Sequence, residues 1–280
     1  MARTPPREEQ IEISRDEAIF RIEAALRGRT FLDVARQYNL QNLPVAGSPN
    51  FNKGWAGHLV EIILGKTPDN LRHPDFGDWE LKVNPVQQRN KRKPICLQFK
   101  EQMTVTNMDL EQIINNDFYS SDFAHKAGKM LVVTRFVVER DAQPSWLYEV
   151  SKFDLDHSSP AMQQAEFEYE RMREIVTSTR NVRALERRGW LDGNQRVKWQ
   201  VVEPVPHGNK GVTATKAICL HKSFLNTHFR LDQRAVEGVD QVSCVNCAGP
   251  CRLVTNIRGS RVWLCPTCQH QEFGQSQAFG

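Results

Sequence analysis

The chain has 280 residues, 40% of them hydrophobic and 25% charged, which allows one large domain or one domain with a small appendage. Its formal charge of +4 and pI near 8.7 permit a nucleic-acid partner without demanding one. No apolar run approaches the ~20 residues of a membrane span, and the polar start MARTPPREEQ lacks a signal-peptide core, so the expectation is a cytoplasmic protein with no membrane association.

Residues 1–13 are charged and proline-bearing and read as a mobile arm. Ser14 to Glu17 is a capping box, after which Ile19, Ile22, Ala25 and Leu26 recur at helical spacing up to Gly28. Thr30 caps a second expected helix carrying Phe31, Val34 and Ala35. The pair reads as scaffold.

Asn50 to Lys82, NFNKGWAGHLVEIILGKTPDNLRHPDFGDWELK, carries the chemistry. A helix from Gly54 to Leu64, ended by Gly65, places Gly54, Gly57 and Glu61 on one stripe. Small residues there would let another backbone approach and leave Glu61 in a narrow cleft. A carboxylate among buried apolar residues needs a partner or a metal. Beyond it, Pro74-Asp75, four residues, then Glu80-Leu81-Lys82 give a spacing suited to metal-dependent phosphodiester hydrolysis. Alternation along a strand puts Glu80 and Lys82 on one side and Leu81 in the core. Two carboxylates suit Mg²⁺, a hard cation, and an ammonium beside them can hold or deprotonate the attacking water. Alone, Asp-x4-Glu-x-Lys also describes an ordinary solvated strand; the convergence of three carboxylates and two lysines in one short stretch favours chemistry.

Lys53-Gly54-Trp55-Ala56-Gly57-His58-Leu59-Val60-Glu61, with Leu64-Gly65 and then Asp75, Glu80, Leu81 and Lys82, resembles the MutH family of DNA endonucleases in the PD-(D/E)XK superfamily. The resemblance implies an α/β (α+β) fold: a restriction-endonuclease-like mixed central sheet flanked by helices. It implies Asp75 and Glu80 as Mg²⁺ ligands, Glu61 as a third carboxylate, Lys82 beside the nucleophilic water, and Lys53 near the active site. The Asp75 to Glu80 connection is shorter than in MutH itself, which makes Asp78 a rival ligand, though the Pro74-Asp75 pair favours Asp75.

Four cations in Gln87 to Lys93 (Arg89, Lys91, Arg92, Lys93) form either a solvated hairpin tip or a phosphate contact that adds affinity without sequence information. Ile95 to Lys100 alternates as a strand, Asp109 to Asn116 reads as a helix, and Met130 to Val138 is a β-branched run typical of a sheet centre. The family places a functional lysine in the turn before this strand, where Lys126 and Lys129 both fit. A strand at Ser145 to Val150 and a charged helix from Pro160 to Arg180, with Met162, Phe167, Met172 and Ile175 on its apolar side, follow. A short helix at Val182 to Arg188, a turn at Asp192 to Asn194 and a strand at Val197 to Val202 come next. Ile218 to Phe224, containing Lys222, is the clearest late match to the family, in a region that there faces DNA; Cys219 stands where a tyrosine is expected. The resemblance ends near residue 235.

Five of the seven cysteines lie in the last forty residues. Cys244-x2-Cys247 and Cys265-x2-Cys268 have zinc-ribbon spacing, with Arg252 to Ile257 and Arg261 to Leu264 as the intervening hairpin and Cys251 to spare. The expected organisation is an arm (1–13), an endonuclease domain (14–238) and a zinc ribbon (239–280). The expected activity is sequence-specific, Mg²⁺-dependent cleavage of double-stranded DNA as a type II restriction enzyme. The rivals are a mismatch-repair nickase activated by a MutL-type partner, a DNA-binding protein without catalysis, and an RNA-processing nuclease.

Overall fold

The computed structural model describes residues 12–40, 54–67, 74–89, 96–137, 145–156, 158–181, 185, 190–191, 195–196, 199–207, 215–231, 242–243, 250–255, 261–264 and 271–273. Three helices come first: α1 (Arg15–Leu26), α2 (Phe31–Gln37) and α3 (Trp55–Ile63). The expected caps form. The Ser14 hydroxyl accepts the Glu17 amide at 3.2 Å, the Thr30 hydroxyl accepts the Asp33 amide at 3.0 Å, and Gly65 leaves α3 at a φ of +89°.

Four strands then make the central sheet: β1 (Glu80–Arg89), β2 (Cys96–Phe99), β4 (Met130–Phe136) and β5 (Trp146–Phe153), in the order β2-β1-β4-β5. Only the β1/β4 pair is parallel, so the sheet is mixed. β4 is buried along its whole length, as a central strand should be. Alternation divides its side chains between two cores: Leu131 and Val133 pack with Leu81, Trp79 and the apolar sides of α1 to α3. Met130, Val132 and Phe136 face the opposite layer.

That layer contains α4 (Leu110–Asn115), α5 (Asp122–Ala127), α6 (Pro160–Thr179), α7 (Lys222–His228) and a second, antiparallel sheet. Its order is β3-β9-β8, from β3 (Met103–Asn107), β8 (Val202–His207) and β9 (Thr215–Leu220). A two-stranded ribbon, β6 (Trp190–Leu191) and β7 (Gln195–Arg196), flanks the expected turn. The expected hairpin appears in a four-stranded antiparallel sheet of β10 (Val242–Ser243), β11 (Pro250–Thr255), β12 (Arg261–Leu264) and β13 (Gln271–Phe273).

Several expectations are corrected. Of the strand expected at Val197 to Val202, Val197 and Lys198 lie outside the described residues, Trp199 to Val201 are not in a strand, and β8 runs from Val202 to His207. Pro204 and Pro206 disguise it, and they are tolerated because β8 is an edge. Arg89 belongs to β1 rather than to a loop. Phe167 is 60% exposed, because the buried face of α6 follows Met162, Ala165, Glu168, Tyr169, Met172, Ile175 and Val176 and leaves Phe167 out of phase. Glu168 is the surprise on that helix. Its carboxylate accepts the amides of Gln200, Val201 and Val202 at 2.6, 2.9 and 2.7 Å, which ties α6 to the start of β8. The helix expected at Val182 to Arg188 lies outside the described residues, except for Leu185.

Candidate nuclease site

Asp75 and Glu80 are joined by a turn that its own aromatics hold. The Phe76 amide donates to the Trp79 carbonyl at 3.0 Å, and Gly77 takes a φ of +73°. The Phe76 and Trp79 rings stack at 4.4 Å and are buried against the three-helix core, where Trp79 Nε1 donates to the Ile13 carbonyl. This compact turn accounts for the short Asp75 to Glu80 connection. It also separates the two aspartates. Asp78 sits at the exposed tip, paired with Lys129, whose hydrogen bond holds its carboxyl below the usual range. Asp75 points back, and its Oδ2 accepts the Leu81 amide at 3.1 Å.

Glu80 opens β1 and is 2% exposed. Lys82 lies two residues on, on the same side as expected, with Nζ 2.6 Å from Glu80 Oε1. Lys126 reaches the same oxygen at 3.3 Å from the last turn of α5. That approach follows from the sheet: Glu80 pairs with Met130 in the parallel β1/β4 ladder, so the chain entering β4 arrives beside the head of β1. Of the two lysines that fitted the basic turn, the structure brings Lys126 to Glu80 and Lys129 to Asp78. The sequence missed α5 and with it the signal that separates them.

Glu61 lies half-buried on α3, a helix that packs on β1. A Cβ built on Gly57 meets no atom within 4 Å. Trp55, Ala56, Leu59 and Val60 take the packed side of the helix, while one carboxylate oxygen of Glu61, Oε2, is buried. No three His, Cys, Asp or Glu side chains among the described residues stand close enough together to enclose a metal ion. The three carboxylates come from three adjacent segments, with Asp75 and Glu80 linked through the Leu81 amide. The pair fits a divalent cation in one respect: Glu80 Oε2 is buried and has no hydrogen-bond partner, leaving a hard oxygen donor to offer.

Around this pair lies the second sheet. Cys219, on β9, is buried and 3.5 Å from the Thr104 hydroxyl; burial pushes its thiol up, while Lys82 lies close enough to oppose the shift. Lys222 opens α7 and reaches the Lys100 carbonyl beyond β2 at 3.5 Å. Lys53, the basic loop residues Lys91, Arg92 and Lys93, the side chain of Arg89, and Cys244, Cys247, Cys265 and Cys268 lie outside what the structure describes. Sequence reasoning passed over Lys66, which directly follows Gly65 and whose Nζ lies 3.0 Å from Asp75 Oδ1. Nothing in the spacing marks it.

A family model described as DNA mismatch repair enzyme MutH matches residues 64–166. This part of the chain is MutH-like. The MutH-like segment contains Asp75, Glu80, Lys82 and Lys126; Lys53 and Glu61 precede it, and Lys222 and the cysteine pairs follow it. It supports a nuclease of the MutH and restriction-endonuclease type, a hydrolase acting on DNA, and agrees with the mixed sheet flanked by helices. No curated protein matches the chain. Among the described residues no helix is long and apolar enough to cross a membrane.

Proposed function

We propose that the chain is a sequence-specific, Mg²⁺-dependent endonuclease of double-stranded DNA acting as a type II restriction enzyme. The observation that carries the reading is Glu80, a buried carboxylate gripped on one oxygen by Lys82 and Lys126 and linked to Asp75 through the Leu81 amide. Asp75 and Glu80 would hold the ion, with Glu61 a further carboxylate on the adjoining helix. A bound Mg²⁺ would polarise the phosphate and lower the pKa of its water. Lys82 is the less buried of the two lysines on Glu80, and its ammonium can orient water at the scissile phosphate and exchange a proton with it. Lys126 fixes the rotamer of Glu80, and Lys53, by its match to the family's motif, would assist at the phosphate.

Arg89, Lys91, Arg92, Lys93 and Lys222 would lie along the DNA backbone and contribute salt-dependent affinity. Lys129 pairs with Asp78 at the rim, where a phosphate could take it over. Cys244, Cys247, Cys265 and Cys268 would hold a structural Zn²⁺ at the ends of the β11/β12 hairpin.

The description of the matching family favours a second reading, a mismatch-repair nickase that answers to a MutL-type activator. Methylated and unmethylated plasmids incubated with the protein in Mg²⁺ separate the two. Discrete linear fragments without any activator are expected. Nicking alone, accelerated by a MutL-type protein, would replace restriction by repair.

A further inference from the structure

Gly65 turns the chain out of α3, and the turn delivers the Lys66 ammonium to Asp75 Oδ1 at 3.0 Å and over the Phe76 ring, 5.7 Å from its centroid. Only 13% of the Lys66 side chain and 17% of the Asp75 side chain are exposed, so solvent does not screen this pair as it would a surface contact. Asp75 Oδ2 is occupied by the Leu81 amide, and both oxygens are therefore engaged. At Glu80, Lys82 and Lys126 share Oε1 while Oε2 has no hydrogen-bond partner.

Among the described groups that touch Asp75 or Glu80, three ammonium groups thus answer two carboxylates. A divalent cation that binds Asp75 through Oδ1 competes with the Lys66 ammonium already there. A DNA phosphate supplies negative charge at the same place and offers a displaced lysine a new partner.

We infer that Lys66 is a resident counter-ion that competes with the divalent cation for Asp75, so that metal and DNA load together. The inference rests on the metal-dependent nuclease reading and adds a positioning residue to it. Lys66 holds the site closed to metal in the free protein and moves to a phosphate when DNA binds.

The test is Mn²⁺ binding to the full chain, read from the electron paramagnetic resonance of the free ion, with and without sonicated duplex DNA. The wild type binds at an Asp75-dependent site at least about tenfold more weakly without DNA than with it. Lys66→Gln binds without DNA at least about tenfold more tightly than the wild type, and adding Asp75→Asn abolishes the gain. Lys66→Arg keeps the wild-type affinity. Unchanged affinity in a Lys66→Gln protein with native circular dichroism overturns the inference. So does a wild type that binds equally well with and without DNA, a result that needs no variant. Absence of Asp75-dependent binding in every protein, even with DNA, would instead sink the metal-nuclease reading, and this inference with it.

Discussion

Glu80 makes opposite demands on stability and on chemistry. Replacing it with glutamine leaves two ammonium groups, one of them only 10% exposed, without their counter-charge. Glu80→Gln is expected to lose about 3 kcal/mol of unfolding free energy. Lys82→Gln leaves Glu80 paired with Lys126 and is expected to lose only about 1.5 kcal/mol, the contribution of one charge-assisted hydrogen bond. Urea denaturation of the two variants checks the difference; equal losses would mean that Lys126 does not share the pair. The shared face of Glu80 and Lys82 was legible in the sequence, because side-chain alternation on a strand requires it. Asp75 was preferred to Asp78 on the Pro74-Asp75 pair, but the Phe76/Trp79 turn that holds the two apart was not legible. Nor was the separation of Lys126 from Lys129, which depends on where α5 ends. A second residue-scale consequence concerns Tyr169, buried beside Phe118 and Phe123, where burial pushes its hydroxyl up to about 12. In the unfolded chain it ionises near pH 10. The folded state keeps the proton longer, so its contribution is complete below that value and is lost as pH rises towards about 12. Melting temperatures at pH 9 and 11 should fall further for the wild type than for Tyr169→Phe. Equal falls would exclude the effect.

Two glycines express the difference between an open helix face and a strained turn. Gly57 lies inside α3 with nothing near an added Cβ, so Gly57→Ala should stabilise the protein by about 0.5–1 kcal/mol. Gly77 is equally unobstructed but has a φ of +73°, and Gly77→Ala should destabilise by about 1 kcal/mol and slow cleavage by shifting Asp75 against Glu80. Thermal melts compare the two; a destabilised Gly57→Ala would show that the glycine face is packed after all. The helix ends were readable at this scale because Ser14, Thr30 and Gly65 carry their own capping chemistry. β8 was not, because its prolines argue against a strand unless its place at a sheet edge is known. Nor was the inward turn of Glu168, since a glutamate on a charged helix carries no mark of the three amides it will meet.

Among the described residues, the central mixed sheet lies between two cores, with α1 to α3 on one side and α4 to α7 and the β3-β9-β8 sheet on the other. The proposed metal-binding pair stands where these parts meet: Asp75 follows α3 by a short segment, Glu80 begins β1, and Lys126 comes from the opposite layer. The sheet was legible from the β-branched run of β4 and from the resemblance around Asp75 and Glu80; the packing of the second sheet against it was not, because β3 and β9 pair across more than a hundred residues. For the cysteine-rich segment, the proposed ribbon predicts one zinc per chain by elemental analysis, lost when Cys244 and Cys265 are replaced by serine. Zinc retained in that variant would rule out these ligands. The most direct measurement is cleavage of plasmid DNA in Mg²⁺ and in EDTA by the wild type, Glu80→Gln and Lys82→Ala, with DNA binding measured alongside. Metal-dependent cleavage by the wild type, reduced at least ~10²-fold in both variants while binding persists, is the predicted result. A wild type that binds DNA and cuts none in any metal, or variants that cut as it does, would contradict the assignment of catalysis to this site.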